Sequence, residues 1–166
     1  MSHLKFAALS LVSGAALLAS TGASLAEDTA YPLSLQNCGR DVVIEQAPGS
    51  VVSIGQSMTE ILYLLGLQDR VVGTALWIGP VLEGFEEVNE GIERLADNDP
   101  SFESVVARRP KLVAAQYEWH VGPQGIVATR EQFSDLGIPT YILPSDCVGK
   151  DNTADSDGTR TAMYST

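Results

Sequence analysis

Residues 99–120, DPSFESVVARRPKLVAAQYEWH, decide the fold of this chain. They read as helix, stop, buried strand and aromatic loop. Asp99 is a helix-capping residue type, and Pro100 suits a first helical position, where its missing N–H would have had no partner. Phe102, Val105 and Val106 recur at helical spacing and give one apolar stripe. Arg108 and Arg109 fall where the helix dipole is negative, and Pro110 ends the helix. Leu112 to Ala115 is a short apolar run without polar alternation, the pattern of a strand covered on both faces. Tyr117, Glu118, Trp119 and His120 follow at once. Open parallel sheets bind ligands in the crevice outside the carboxyl ends of their strands. An aromatic cluster with a histidine at that end is therefore a candidate site.

Working outward, residues 33–36 and 41–45 flank Asn37-Cys38-Gly39-Arg40 and predict a hairpin. Residues 51–54, VVSI, predict a β-branched strand. Gly55-Gln56 then leads to Ser57 with Glu60 three residues on, the spacing of a capping box. Met58, Ile61, Leu62 and Leu65 give that helix an apolar face, and Gly66 gives it a left-handed stop. A second strand is expected at 71–74, so residues 51–74 form one strand–helix–strand unit with a right-handed parallel crossover. A short helix is expected at 81–89, another at 126–136, and a last strand at 140–143. The architecture expected is α/β: a sheet of about four parallel strands with flanking helices, plus the N-terminal hairpin.

Composition bounds the function. Residues 1–26 carry Lys5, an apolar run from Phe6 to Ala19, and small residues at Ser24 and Ala26, as a secretory signal peptide cleaved after Ala26 does. Export places the chain in the periplasm or outside the cell. The formal net charge is −11, which disfavours nucleic acid as a partner. An oxidising compartment makes a Cys38–Cys147 bridge the expected state, with two free thiols or an intermolecular pair as alternatives.

The loops after the strands gather Gln56, Ser57, Trp77, Tyr117, Trp119, His120 and Ser145, the candidate ligand-binding residues. The chain lacks GxGxxG, GxxxxGK[ST], GxSxG and HExxH motifs. A hydrolase would need His120 with Ser57 or Ser145. A zinc or manganese binder would need His120, Glu118 and Asp146, although transition metals want three or more ligands and the local spacing supplies two. No catalytic residue, resident metal or cofactor is expected.

At this point SVVSIGQSMTEILYLLGLQDRVVG resembles the opening of the periplasmic binding proteins of ABC importers for ferric siderophores, haem and vitamin B12. PSFESVVARRPKLVAA is similar to that family's helix–strand signature of Asn-Leu-Glu, an apolar pair, Lys-Pro-Asp and a buried strand, and DLGIPTYIL to its next strand. The resemblance covers roughly residues 32–147 and implies one of two α/β lobes joined by a long helix, with the ligand held between them. It implies a lobe at 27–148, with 149–166 a linker and the start of the interlobe helix, the second lobe being absent. It further implies a monomer that captures a ferric siderophore or similar metal chelate and delivers it to an ABC permease in the membrane. Glu103 matches the family glutamate that pairs with permease arginines, though the motif here reads Ser-Phe-Glu.

Overall fold

A computed structural model describes residues 28–147 and, in backbone only, 155–156 and 159–160. The signal peptide expected at 1–26 lies outside the described residues. The elements are β1 (Leu33–Asn37), β2 (Arg40–Ile44), β3 (Val51–Ile54), α1 (Gln56–Leu64), β4 (Val71–Ala75), α2 (Glu86–Glu90), β5 (Arg94–Ala96), α3 (Phe102–Ala107), β6 (Leu112–Ala115), α4 (Glu118–Val121), α5 (Arg130–Asp135) and β7 (Thr140–Ile142). Asp155–Ser156 and Thr159–Arg160 pair antiparallel as β8 and β9, where a loop and a helix start at Arg160 were expected.

β3 to β7 make one parallel sheet in the order β5-β4-β3-β6-β7. It has five strands, not four, because Arg94–Ala96 adds an edge strand to β4. The chain first winds outward from β3 through β4 to β5, then returns to the other side of β3 for β6 and β7. With right-handed crossovers, that reversal puts the two groups of helices on opposite faces. Successive strand residues face opposite sides. Val52, Ile54, Val113, Ala115 and Ile142 therefore share a core with Val105 of α3 and Phe133 of α5. Val51 and Ala114 pack on the other face against Met58 of α1, and Tyr63, Val71 and Trp77 continue that layer beneath α2.

The β1–β2 hairpin is fastened to the far edge. Asn37 Nδ2 donates to the Ile142 carbonyl at 2.8 Å, and Asn37 Oδ1 accepts from the Ile142 N–H at 2.8 Å. The side-chain amide thus imitates a strand neighbour on the free side of β7, which blunts an edge that could otherwise pair with another chain. Buried Arg130 donates to the Asn37 carbonyl at 2.7 Å and also to its Oδ1. A disulfide joins Cys38, at the hairpin turn, to Cys147 after β7, with the Cα atoms 4.8 Å apart.

Several helix starts differ from the sequence reading. α3 is capped by Ser101, whose hydroxyl accepts from the Ser104 N–H at 3.1 Å, so Pro100 precedes the cap and Asp99 is free for a distant partner. α1 begins at Gln56 after Gly55 with no side-chain cap, so the Ser57–Glu60 capping box does not form. A capping box does form at Thr129 and Gln132, which starts α5 at Arg130, four residues after the expected start. α2 likewise starts later than expected, at Glu86.

Candidate binding site

The sheet reverses its winding between β3 and β6, so the crevice lies beyond the carboxyl ends of these two strands. Hydrogen bonding carries the sheet one residue further there. Gly55 N–H donates to Ala75 at 2.9 Å, Gln116 N–H to Ile54 at 2.7 Å, and Leu143 N–H to Ala115 at 2.9 Å. The chain then turns sharply at Gly55, whose φ is +113°. A Cβ on Gly55 would lie 2.2 Å from the Gln116 Cβ, so glycine is required for the two strand ends to meet. Gln116 Oε1 accepts the Ser57 N–H at 2.9 Å and satisfies an N-terminal donor of α1 across the crevice. Gln116 carries no local sequence signal, because its partner is far away in the chain.

Gln56 has all its amide capacity engaged. Its Oε1 accepts from Ile78 and Gly79 N–H at 3.1 Å each, and its Nε2 donates to the Pro80 carbonyl at 2.8 Å and to Glu60 at 2.9 Å. Glu60 also accepts the Leu82 N–H at 3.1 Å. Gln56 and Glu60 therefore hold the loop after β4. Trp77, placed at the sheet edge by the sequence reading, is core. Its ring is buried, its indole N–H reaches the Thr74 hydroxyl at 3.1 Å, and Arg94 lies over the ring at 5.1 Å. Ser57 and Ser145 are exposed.

After β6 the expected aromatic loop is instead a single helical turn, α4, with Tyr117 as its N-cap. The turn sorts its side chains. Trp119 is 62 % exposed, whereas His120 is wholly buried. Tyr117 and Trp119 meet edge to face with centroids 5.3 Å apart. The Trp119 indole N–H points at His120 Nε2, 3.0 Å away, and Asp99 Oδ1 lies 3.2 Å from the same nitrogen. Asp146 Oδ2 accepts the Glu118 N–H at 2.6 Å, which ties the turn after β7 to α4. Burial pushes the His120 pKa below its ordinary value, and the Asp99 carboxylate opposes that shift. The imidazole is thus neutral at pH 7.

A zinc or manganese centre built on His120, Glu118 and Asp146 is not formed: among the described residues no three His, Cys, Asp or Glu side chains converge to hold a metal ion. Glu103 is exposed in the first turn of α3. No helix among the described residues is long and apolar enough to cross a membrane.

Known proteins resemble this chain in sequence and in fold. The sequence profile of the periplasmic binding proteins matches residues 51–165. A Bacillus subtilis (strain 168) protein described as an uncharacterized ABC transporter substrate-binding lipoprotein, YvrC, is 31% identical over 115 residues, covering 68% of this chain and 34% of the relative. The chain therefore spans about a third of that relative's length. A structure described as an ABC-type Fe3+-hydroxamate transport system from Saccharomonospora viridis DSM 43017 aligns with a TM-score of 0.60 at 24% identity, over 72% of this chain and 42% of that one. A periplasmic binding protein from Veillonella parvula dsm 2008 aligns with a TM-score of 0.58 at 22% identity, over 64% and 35%. These two structures share the parallel-sheet fold. By the profile match across its whole sheet, this chain belongs to the periplasmic binding protein family, a family of solute-binding proteins and not of enzymes.

Proposed function

We propose that this chain is the N-terminal lobe of an exported solute-binding component of an ABC importer, and that its ligand is a ferric siderophore or a related metal chelate such as haem. The observation that carries the reading is Trp119. It is a large aromatic side chain left 62 % exposed, braced by Tyr117, beside the switch point of a binding-protein sheet. An exposed, braced ring offers a flat apolar face to a bulky ligand at low entropic cost. Ser57 and Ser145 supply exposed hydroxyls on neighbouring loops, while Gln56 holds the loop after β4, Trp77 packs in the core and His120 meets Trp119 from beneath. The hydrolase alternative has no support in the family, and the metal-ion alternative has none in the side-chain geometry. Export is supported by the character of residues 1–26 and by the disulfide.

The test is a titration of tryptophan fluorescence with a ferric hydroxamate and, separately, with haem. Quenching that saturates, and an affinity at least about fivefold weaker in Trp119→Ala, is expected, since loss of one stacked aromatic contact is worth roughly 1–3 kcal/mol. Equal affinity of the variant for every chelate it binds would overturn the site. Glu103 is the proposed contact to permease arginines. In the full-length importer, Glu103→Ala should lower uptake while leaving chelate affinity unchanged. Undiminished uptake would refute that assignment.

A further inference from the structure

We propose that His120 is a positioning residue for Trp119, holding the exposed indole by a ring nitrogen for which Asp99 competes. The two partners exclude each other. A bare Nε2 accepts the indole N–H, 3.0 Å away, and has no proton for Asp99. A protonated Nε2 donates to Asp99 Oδ1, 3.2 Å away, and leaves the indole without its acceptor. The other nitrogen, Nδ1, is buried and has no hydrogen-bond partner, so no second bond fixes the state of the ring. Trp119 can therefore be held or released by one proton on a wholly buried side chain.

The charged groups around the ring set the direction of the switch. Asp99 faces it from the segment before α3, Asp146 acts on it from the turn after β7, and Glu118 is on its own helical turn. Arg130 of α5 interacts with Glu118. The carboxylates favour the charged imidazole, and burial favours the neutral one and is the stronger effect. The neutral ring that carries its proton on Nδ1 leaves Nε2 bare and holds Trp119. As pH falls through the lowered pKa, the ring charges, turns its proton to Asp99 and frees the indole. Resting on the reading of Trp119 as a ligand contact, this makes chelate capture weaker in acid.

The experiment follows the indole and needs no ligand, so its failure is distinct from failure of the binding reading. The chain holds two tryptophans, and Trp119→Phe identifies which ¹⁵N-indole signal belongs to position 119. At neutral pH that proton should resonate downfield and exchange slowly. On acidification it should shift to a solvent-exposed value, with a midpoint below about 6.5. In Asp99→Asn the midpoint should fall further, because a close carboxylate stabilises the charged ring. An indole signal that is solvent-like at neutral pH, or that does not move on acidification while the chain stays folded, would overturn the proposal. So would a midpoint that stays or rises in Asp99→Asn.

Discussion

Gly55→Ala is the sharpest perturbation of the edge on which the site is built. Two costs add. The backbone at Gly55 has φ +113° and ψ 131°, a conformation nearly confined to glycine, and holding another residue there costs on the order of 1–3 kcal/mol. The new Cβ would also sit 2.2 Å from the Gln116 Cβ and 2.6 Å from its Oε1, so β3 and β6 must part at their ends. Overpacking of that kind costs about 1–3 kcal/mol more. The expected loss is roughly 2–6 kcal/mol, a large share of the ~5–15 kcal/mol that keeps a domain folded. Urea denaturation with an unchanged slope measures it, and the melting temperature should fall by roughly 5–20 °C. Pairing the change with Gln116→Gly separates the two costs. The double variant loses the bond to the Ser57 N–H but also the clash, so it should be less destabilised than the sum of the single variants by about 1–3 kcal/mol. A single-variant loss under about 1 kcal/mol, or strict additivity in the cycle, would show that the strand ends are not locked together as argued.

The Cys38–Cys147 bridge spans a sequence separation of 109, and replacing both residues with serine should cost about 4–5 kcal/mol by loss of chain constraint. A urea midpoint that does not change on reduction would contradict this. Tyr63 is buried with its hydroxyl donating to Asn89 at 3.0 Å, and burial pushes its pKa up to about 12. Because the unfolded phenol ionises near 10, the folded state keeps its full advantage below that pH and loses it as pH rises from about 10 towards 12. Stability should fall across that window in the native chain and fall less steeply in Tyr63→Phe; identical alkaline profiles would refute the assignment.

What could be read from the sequence was local. β3 and β6 are legible to the residue as short, largely apolar runs, since a strand covered on both faces shows no polar alternation and its one polar residue, Ser53, is small and wholly buried. β5 was missed because Arg94-Leu95-Ala96 is three residues long and pairs on one side only, which leaves its arginine exposed and breaks the apolar run. The starts of α1 and α3 are hidden from the sequence because distant groups compete with the local caps. Ser57 and Glu60 have capping-box spacing, but the Ser57 N–H is taken by Gln116 and the Glu60 carboxylate by Gln56 and Leu82. Asp99 is an apt cap by residue type, but it meets His120 instead, and Ser101 caps the helix. In the site, the aromatic cluster was visible as composition. Its division into one exposed ring and one buried imidazole was not, because that depends on a helical turn of only four residues, Glu118–Val121.

The same topology decides how the two proposed contact residues relate. β5 ends at the carboxyl edge of the sheet, and α3 must start there in order to return the chain to the beginning of β6. Glu103, in the first turn of α3, is therefore delivered to the edge that carries Trp119, although 15 residues and a buried strand separate them in sequence. The 3.2 Å contact between Asp99 and His120 is the direct sign of this return, since it joins the segment before the helix to the turn after the strand. Residues 99–120 thus form a closed excursion from the edge and back, and not a path between opposite ends of the lobe. A ligand contact and a permease contact placed on such an excursion share one rigid support. Substitutions at Asp99 or His120, which touch both arms, should consequently disturb both surfaces, whereas Glu103 and Trp119, each exposed on one arm, should be separable.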